Sequence, residues 1–196
     1  MKVVAAIGLA LILSMSGLAQ TTATAVYQDG SAILDNAGNL LVVDAGRSTS
    51  GVTITGLRHS FFAPKTRLTI VPKGATSPSA TVEYDGAIRM IGVGTSAIYA
   101  IATAYTVSGT TVTTTQSLIA IKSTLPAGPG LSGFTSFNLA SSVEPRVGEN
   151  DYISLITEPN RVPVSMSTTT TTTARTVTVL HFSGPSFDTV SSATLP

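Results

Sequence analysis

The chain of 196 residues contains no cysteine and no tryptophan, and only 11% of its residues are charged. Without thiols no disulfide can form, so the stability of the fold has to come from packing and backbone pairing. A lipid anchor on cysteine is excluded for the same reason. The formal net charge is +1, and Lys and Arg are scattered singly. This argues against a nucleic-acid partner, because phosphate binding needs clustered cations.

Helical periodicity is also missing from the sequence. From Gln20 onward, no segment of about a dozen residues places apolar side chains at helical spacing. Short runs of Val, Ile, Thr and Tyr recur between Gly, Ser, Asn and Pro, for example "RLTIV" at 67–71 and "RTVTVLHF" at 175–182. This pattern is typical of strands and turns. Since 43% of the residues are hydrophobic, we predict a single all-β domain over residues 20–196 with a core of its own.

Residues 1–19 have the layout of a secretory signal peptide. Lys2 precedes an apolar run from Val3 to Leu13, and small residues lead to a junction after Ala19. The run is too short for a transmembrane helix, which needs roughly 20 residues, so we expect no membrane span after signal cleavage. The mature protein is then secreted, periplasmic or on the cell surface, and export without disulfides is typical of a bacterial protein.

Two similar segments indicate an internal repeat. "VYQDGSAI" at 26–33 and "VEYDGAI" at 82–88 share an Asp-Gly pair, and their aspartates, Asp29 and Asp85, are about 56 residues apart. A third copy is "PRVGENDYISLI" at 145–156, in which Tyr152 follows Tyr99 by about 53 residues. The spacing divides the chain into three units, roughly 26–83, 84–140 and 141–196.

Each unit has room for four strands. The predicted strands lie near 31–35, 39–44, 66–71 and 79–83, then near 87–92, 97–107, 111–122 and 134–139, and finally near 142–147, 151–157, 175–182 and 187–191. Four-stranded antiparallel units with continuous apolar inner strands are what β-propeller blades require. We therefore predict three blade-like units that form a partial or oligomer-completed β-propeller. A β-sandwich is the alternative, because irregular strands with Gly and Pro turns fit it as well.

One segment carries a family resemblance. "DNAGNLLVVDAG", residues 35–46, resembles the Asp, Gly-Asn, apolar strand and Asp pattern of NHL-type propeller repeats. The resemblance implies a blade, and no functional residue is carried over from it. Propellers typically have about four to eight blades, so three units leave three alternatives. The chain forms a homo-oligomer that closes a ring, such as a dimer with two three-bladed halves, or the number of units is not three, or the chain is part of a longer ring.

The same segment raises the question of a calcium loop. Asp35, Asn39 and, in "GEND" at 148–151, Asp151 offer oxygen ligands, but the spacing of an EF-hand is missing. We interpret residues 36–39 as the turn of the first hairpin and residues 40–43 as an inner strand buried on both faces. In this interpretation Asp44 ends the strand. We predict no metal site, and calcium binding by these three residues stays an open alternative.

Catalytic signatures are sparse. The only histidines are His59 in "LRHSFF" and His181 in "VLHFSG", and neither lies in a nucleophile motif. The ten acidic residues stand mostly beside Gly, Asn or Pro, where they serve turns, and no pair suggests glycoside cleavage. We therefore predict no catalytic residue and no cofactor, and a hydrolase is the least favoured class.

The function predicted from these features is non-enzymatic. We expect an exported β-repeat protein whose loops bind an unknown protein or glycan ligand, because loops on a rigid scaffold carry most binding sites. The alternative is a structural component of the cell envelope or surface, which the neutral, Thr- and Ser-rich composition favours.

Overall fold

The computed structural model of the chain describes residues 25–54, 60–140, 143–157 and 175–195. Over these ranges the chain forms fourteen β-strands, two short 3-10 helices at Leu131–Gly133 and Glu149–Asp151, and no α-helix. The all-β prediction is confirmed. None of the described residues belongs to a helix that is long and apolar enough to cross a bilayer. The predicted signal peptide, residues 1–19, lies outside the described residues.

Twelve of the strands form three four-stranded antiparallel sheets. Sheet 1 contains, in spatial order, β1 (Ala25–Leu34), β2 (Leu40–Ser48), β5 (Pro64–Val71) and β6 (Ala80–Asp85). Between β2 and β5, the short strands β3 (Val52–Thr53) and β4 (Ser60–Phe61) pair as a separate ribbon. The other two sheets follow along the chain without mixing of strands.

Sheet 2 contains, in spatial order, β10 (Thr135–Leu139), β9 (Thr111–Ile121), β8 (Ile98–Ser108) and β7 (Ala87–Val93). Sheet 3 contains β11 (Val143–Val147), β12 (Tyr152–Thr157), β13 (Arg175–Phe182) and β14 (Phe187–Leu195). Each sheet is a meander in which the strands pair in chain order, so every connection within a sheet joins neighbouring antiparallel strands.

Two hydrophobic clusters place sheet 2 in the middle of the stack. The first lies between sheets 1 and 2, and its buried members are Leu41, Val43, Leu68, Ile70, Tyr84, Ile88, Ile98, Ala100, Ala102, Ile119, Ile121 and Phe134. The second lies between sheets 2 and 3, and its buried members are Ala97, Tyr99, Ile101, Leu118, Ala120, Leu139, Ile153, Leu155, Leu180 and Phe182. Sheet 2 therefore contributes both of its faces to the core.

The sequence of β8 follows from this position. Ile98 and Ala100 point toward sheet 1, whereas Tyr99 and Ile101 point toward sheet 3, and all four are buried. In a strand that is covered on both faces, neither set of alternating side chains is exposed to water. The sequence of such a strand is therefore a continuous apolar run. The prediction of inner strands buried on both faces is thus correct for β8.

For β2 that prediction is wrong. Leu41 and Val43 are buried against sheet 2, but the alternating residues Leu40 and Val42 are only half-buried on the outer face of sheet 1. Asp44 does not end the strand either, since β2 continues to Ser48. Asp44 stays in the ladder because Arg67, its cross-strand neighbour on β5, binds its carboxylate.

The connection from sheet 1 to sheet 2 consists of one residue, Gly86. Its φ is +137°, and a Cβ there would lie 2.5 Å from the carbonyl oxygen of Thr103, so only glycine fits. The Gly86 carbonyl accepts a hydrogen bond of 2.9 Å from the buried Thr66 hydroxyl, which in turn accepts one of 3.0 Å from the Ile88 amide. The chain therefore changes sheets with its backbone polar groups paired.

Neighbouring valines on β2 test the assignment of its two faces. Val43→Thr keeps the shape of the side chain but buries a hydroxyl against sheet 2, so we expect it to lower the free energy of unfolding by about 1–3 kcal/mol. Val42→Thr places the same hydroxyl on the half-exposed face and should cost within about 0.5 kcal/mol. Urea unfolding of both variants measures the difference, and equal losses would contradict this assignment.

Candidate functional site

The first hairpin turn of each sheet lies at one end of the stack. These turns, residues 35–39 between β1 and β2, residues 94–97 between β7 and β8, and residues 148–151 between β11 and β12, are joined by side-chain hydrogen bonds and are here called the turn cluster. Asn36 donates from Nδ2 to the Gly94 carbonyl at 2.7 Å. Asp151 accepts from the Ser96 amide at 3.0 and 3.1 Å. The middle turn thus holds both of its neighbours.

The first turn is closed by its own side chains. Asp35 accepts hydrogen bonds from the Asn39 amide and from Asn39 Nδ2, both at 2.8 Å, and Asn39 Oδ1 accepts from the Lys73 amide at 3.1 Å. Burial acts to raise the pKa of Asp35, but the bonds from Asn39 outweigh it and lower the pKa. The predicted turn over residues 36–39 is therefore found, and each Asp35 carboxylate oxygen already accepts a bond.

The third turn inserts a carboxylate into the core. Asp151 is only 4% exposed, and its partners are Ser96, through the amide and the hydroxyl, and the Tyr99 hydroxyl at 2.8 Å. Burial tends to raise the pKa of Asp151, yet the bonds from Ser96 and Tyr99 outweigh burial and lower it. Burial and the bond to Asp151 raise the pKa of Tyr99 well above its usual range. Asp151 is thus held as an anion, with the Tyr99 phenol neutral.

The backbone of this turn departs from the usual region. Asn150 has φ 52° and Asp151 has φ 62°, which is a left-handed conformation in two successive non-glycine residues. Such a conformation costs on the order of 1–3 kcal/mol per residue. It directs the Asp151 side chain toward the middle turn, where the hydrogen bonds described above offset the strain.

Gly94 completes the fit between the second and third turns. A Cβ on Gly94 would lie 2.1 Å from Asp151 Oδ1 and 2.5 Å from Cε2 of Tyr99. The backbone of the middle turn can therefore approach the buried carboxylate only when residue 94 is glycine.

A polar cleft of about 250 Å³ opens beside the first two turns. Its lining residues are Asp35, Asn36, Ala37, Asn39, Gly94, Thr95, Ser96, Ala97, Ile121, Lys122 and Ser123. The Lys122 ammonium donates to the Gly184 carbonyl at 2.7 Å and lies 5.5 Å from the centre of the Phe182 ring. The rim of the cleft thus combines carboxylate, amide, hydroxyl and ammonium groups from two sheets.

No group of three or more His, Asp or Glu side chains that could hold a metal ion occurs within the described ranges. Asp35 and Asn39 are bonded to each other, whereas Asp151 is enclosed by Ser96 and Tyr99 from another sheet. The structure therefore does not bring the three calcium candidates together as one ligand set.

His181 lies on the outer face of sheet 3. It is opposite Tyr152 on β12, with ring centres 4.7 Å apart, and opposite Asp188 on β14. Ser186 donates to Asp188 at 2.8 Å, and bonds from Ser186 and Ser183, with the nearby His181, lower the pKa of Asp188. The serine is bonded to the acid rather than to the imidazole, which is not the geometry of a nucleophile and its base. His59 lies outside the described residues.

The outer face of sheet 1 carries a row of charges. Arg67 binds Asp44 through Nε at 2.9 Å and Nη2 at 2.8 Å, and its guanidinium lies 4.4 Å from the centre of the Tyr27 ring. Burial and the nearby Glu83 carboxylate raise the pKa of Tyr27 to about 12, although its hydroxyl forms no hydrogen bond of normal geometry. Lys65 and Asp85 form a second ion pair.

The sequence interpretation missed Ser96, Tyr99 and Gly94 as partners of Asp151. The spacing offered a signal, because residues 36, 95 and 151 follow one another at about 59 and about 56 residues, close to the intervals of about 53–56 residues that led to the proposed repeat. The contact of a side chain in one turn with the backbone of another turn results from the stacking of the sheets. The sequence spacing does not reveal this stacking.

The chain matches no protein-family model, no curated protein and no solved structure.

Acid titration tests the buried carboxylate. Because the pKa of Asp151 is lower in the folded state than in the unfolded chain, its contribution to stability is present above the unfolded pKa of about 3.9 and is lost as the pH falls through the folded value. The Asp151→Asn variant should lose stability at pH 7 and show a smaller decrease between pH 7 and pH 3 than the parent. Asp29→Asn, an exposed position on β1, is the matched control, and an unchanged profile for Asp151→Asn would contradict the assignment.

Replacing Gly94 tests the approach of the second turn to the third. Gly94→Ala introduces a methyl group where Asp151 and Tyr99 already lie, so we expect a loss of about 1–3 kcal/mol in the free energy of unfolding. In the Asp151→Ala background the same substitution should cost less, because one of the two contacts is gone. A double-mutant cycle by urea unfolding measures this coupling, and strict additivity would show that the contact does not matter.

Proposed function

We propose that this chain is an exported, non-enzymatic β-repeat protein that binds a ligand through its loops. The observation that carries the proposal is the turn cluster, in which three turns from three sheets are fixed to one another beside an open polar cleft. Rigid scaffolds that gather loops at one end commonly use that end for binding. Secretion, periplasmic location or surface location is part of the same proposal and is supported by the sequence of residues 1–19.

The lining of the cleft favours a small polar ligand or a polar segment of a larger one. The amide of Asn36, the hydroxyls of Thr95 and Ser123 and the ammonium of Lys122 are suited to hydroxyl and carboxylate groups. A glycan or a polar protein loop offers such groups, whereas an apolar ligand would remove the polar lining from water without offering it any hydrogen-bond partner.

The finer architecture belongs to the same proposal. The three sheets are interpreted as successive blade-like units of a partial or oligomer-completed β-propeller, with a β-sandwich as the alternative. Support for repeated units comes from the meander order of each sheet and from the equivalent position of the three first turns. The one-residue link at Gly86 and the stacking around sheet 2 are also compatible with a three-layered sandwich.

Ring closure by a second copy stays a prediction. It would require the outer faces of sheets 1 and 3 to be covered, as the interior faces are. The outer face of sheet 1 instead carries the ion pairs of Arg67 with Asp44 and of Lys65 with Asp85. Because burying such pairs removes their hydration, this face is better suited to water than to blade packing.

A structural role in the cell envelope or on the surface is the second candidate. The specific observation in its favour is the exposed strand at the end of sheet 3, where Val190 is 56% and Leu195 is 44% exposed. Recovery of the native protein only in insoluble envelope material would favour this role over that of a soluble binding module.

Blocking the cleft tests the binding proposal. The purified protein is applied to arrays of glycans and of envelope protein fractions, and the affinity for any hit is measured. Ser123→Arg fills the cleft rim and should weaken binding at least about tenfold, or about 1.4 kcal/mol. Thr114→Arg, at an exposed position on β9 that does not line the cleft, is the control. Absence of any hit, or equal affinity of both variants, would contradict binding through the turn cluster.

A further inference from the structure

The six edge strands of the three sheets differ in how well they are protected against pairing with another chain. Four of them are short, charged or interrupted. β6 carries Glu83 and Asp85, β7 carries Arg89 and a bulge, β10 has only five residues, and β11 is the five-residue segment VEPRV with a central proline. These are the features that natural sheets use to block edge pairing.

The two remaining edges, β1 and β14, are the longest, with 10 and 9 residues. Neither contains Lys, Arg or Pro. Each of them has one aspartate and one bulge, but in β1 the bulge, Asp29 and Gly30 lie in the middle of the strand. β14 has its single charge, Asp188, near its start, and every residue after Phe187 is exposed. Of the two open edges, β14 is thus the better template for another strand.

The regular part of β14 follows its bulge. The register against β13 shifts near Val190, and residues 191–195 then pair without interruption with residues 175–179. The sequence of this part, Ser-Ser-Ala-Thr-Leu, is uncharged and has Ala193 at its midpoint. Over the described ranges this strand is hydrogen-bonded to β13 alone, and its residues 188–195 are exposed.

We propose that β14 pairs antiparallel with β14 of a second copy of this chain, about a twofold axis at Ala193. Ser191 then lies opposite Leu195, Ser192 opposite Thr194, and Ala193 opposite its own copy. A twofold interface has to be self-complementary, and this register places no like charges opposite each other. The product is one continuous eight-stranded sheet.

The outer face of sheet 3 supports a second copy as the occupant. Ile156, Val177 and Ala193 are cross-strand neighbours and form the apolar part of a row that begins at Glu144 on β11 and ends at the β14 edge. Pairing about Ala193 continues the row into the same three residues of the second copy, with the small alanines at the axis. Like charges at this position would oppose such a contact, because the twofold axis places identical residues beside each other.

This interface is independent of the proposed ligand site, because it lies on another sheet edge and uses no residue of the turn cluster. It also differs from ring closure, in which Ala193 would face sheet 1 of the partner rather than the partner's own Ala193. Failure of one proposal therefore leaves the other to be judged on its own experiment.

A cysteine introduced at the axis tests the pairing directly, because the chain has no other thiol. In a paired antiparallel ladder the two Cα atoms lie about 4.5–5.5 Å apart, which suits a disulfide. Ala193→Cys should form a disulfide-linked dimer in nearly all molecules under mild oxidation. Ala32→Cys, an exposed alanine on the other open edge, should remain monomeric on a non-reducing gel. Equal linkage at both positions, or more at Ala32, would overturn the proposal.

Sedimentation velocity of the purified protein gives the second measurement. We expect a concentration-dependent dimer for the parent and for Ala32→Lys, and a monomer for Ala193→Lys, because two ammonium groups would meet at the axis. Circular dichroism and thermal unfolding of both lysine variants verify that they fold. A parent that sediments as a monomer at all concentrations, or a folded Ala193→Lys variant that still forms the dimer, would overturn the proposal.

Discussion

The burial of both faces of sheet 2 is the constraint on which the rest of the structure depends. A chain without disulfides has only packing and backbone pairing to offset the entropy of folding. Burying a large aliphatic side chain contributes about 1.5–3 kcal/mol, and sheet 2 packs such side chains against both neighbours. Among the described residues, the two hydrophobic clusters join sheet 1 to sheet 2 and sheet 3 to sheet 2, so each outer sheet depends on the middle sheet for its core.

Buried polar groups at the boundaries between the sheets form hydrogen bonds, so they do not oppose this packing. The Thr66 hydroxyl forms hydrogen bonds with the Gly86 carbonyl and the Ile88 amide, where the chain leaves sheet 1. Asp151 forms hydrogen bonds with Ser96 and Tyr99, where sheet 3 meets sheet 2. A carboxylate that is removed from water is tolerated only when several donors surround it. Asp151 meets that condition, and in return it fixes the register between two sheets that apolar contacts alone would leave free to slide.

Much of the architecture could be predicted from the sequence, because strand propensity and turn residues act locally. The predicted strands overlap the twelve strands of the three sheets, and the turn over residues 36–39 is found because Asp35 and Asn39 close it within a few residues of chain. The burial of β8 on both faces could also be predicted, because a continuous apolar run indicates a strand that is covered on both sides.

Other features depend on contacts that no local pattern contains. Leu40 and Val42 look as apolar as residues 98–102, yet nothing in the sequence says that sheet 1 lies at the end of the stack and sheet 2 in its middle. In the sequence, Asp44 looks like the end of a strand, because its ion-pair partner Arg67 is on another strand. The pairing of Asp151 with Ser96 and Tyr99 requires sheets 2 and 3 to be in place before the hydrogen bonds exist.

Native-state hydrogen exchange tests most directly whether the stability of the fold depends on the middle sheet and its two faces. We predict that the amides of β8 and β9 exchange most slowly, at the rate set by global unfolding, and that β1 and β14 exchange through smaller openings. The contrary result would be exchange of β8 and β9 through local opening while β2 and β5, or β12 and β13, stay protected. Sheet 2 would then not be the element that holds the other two.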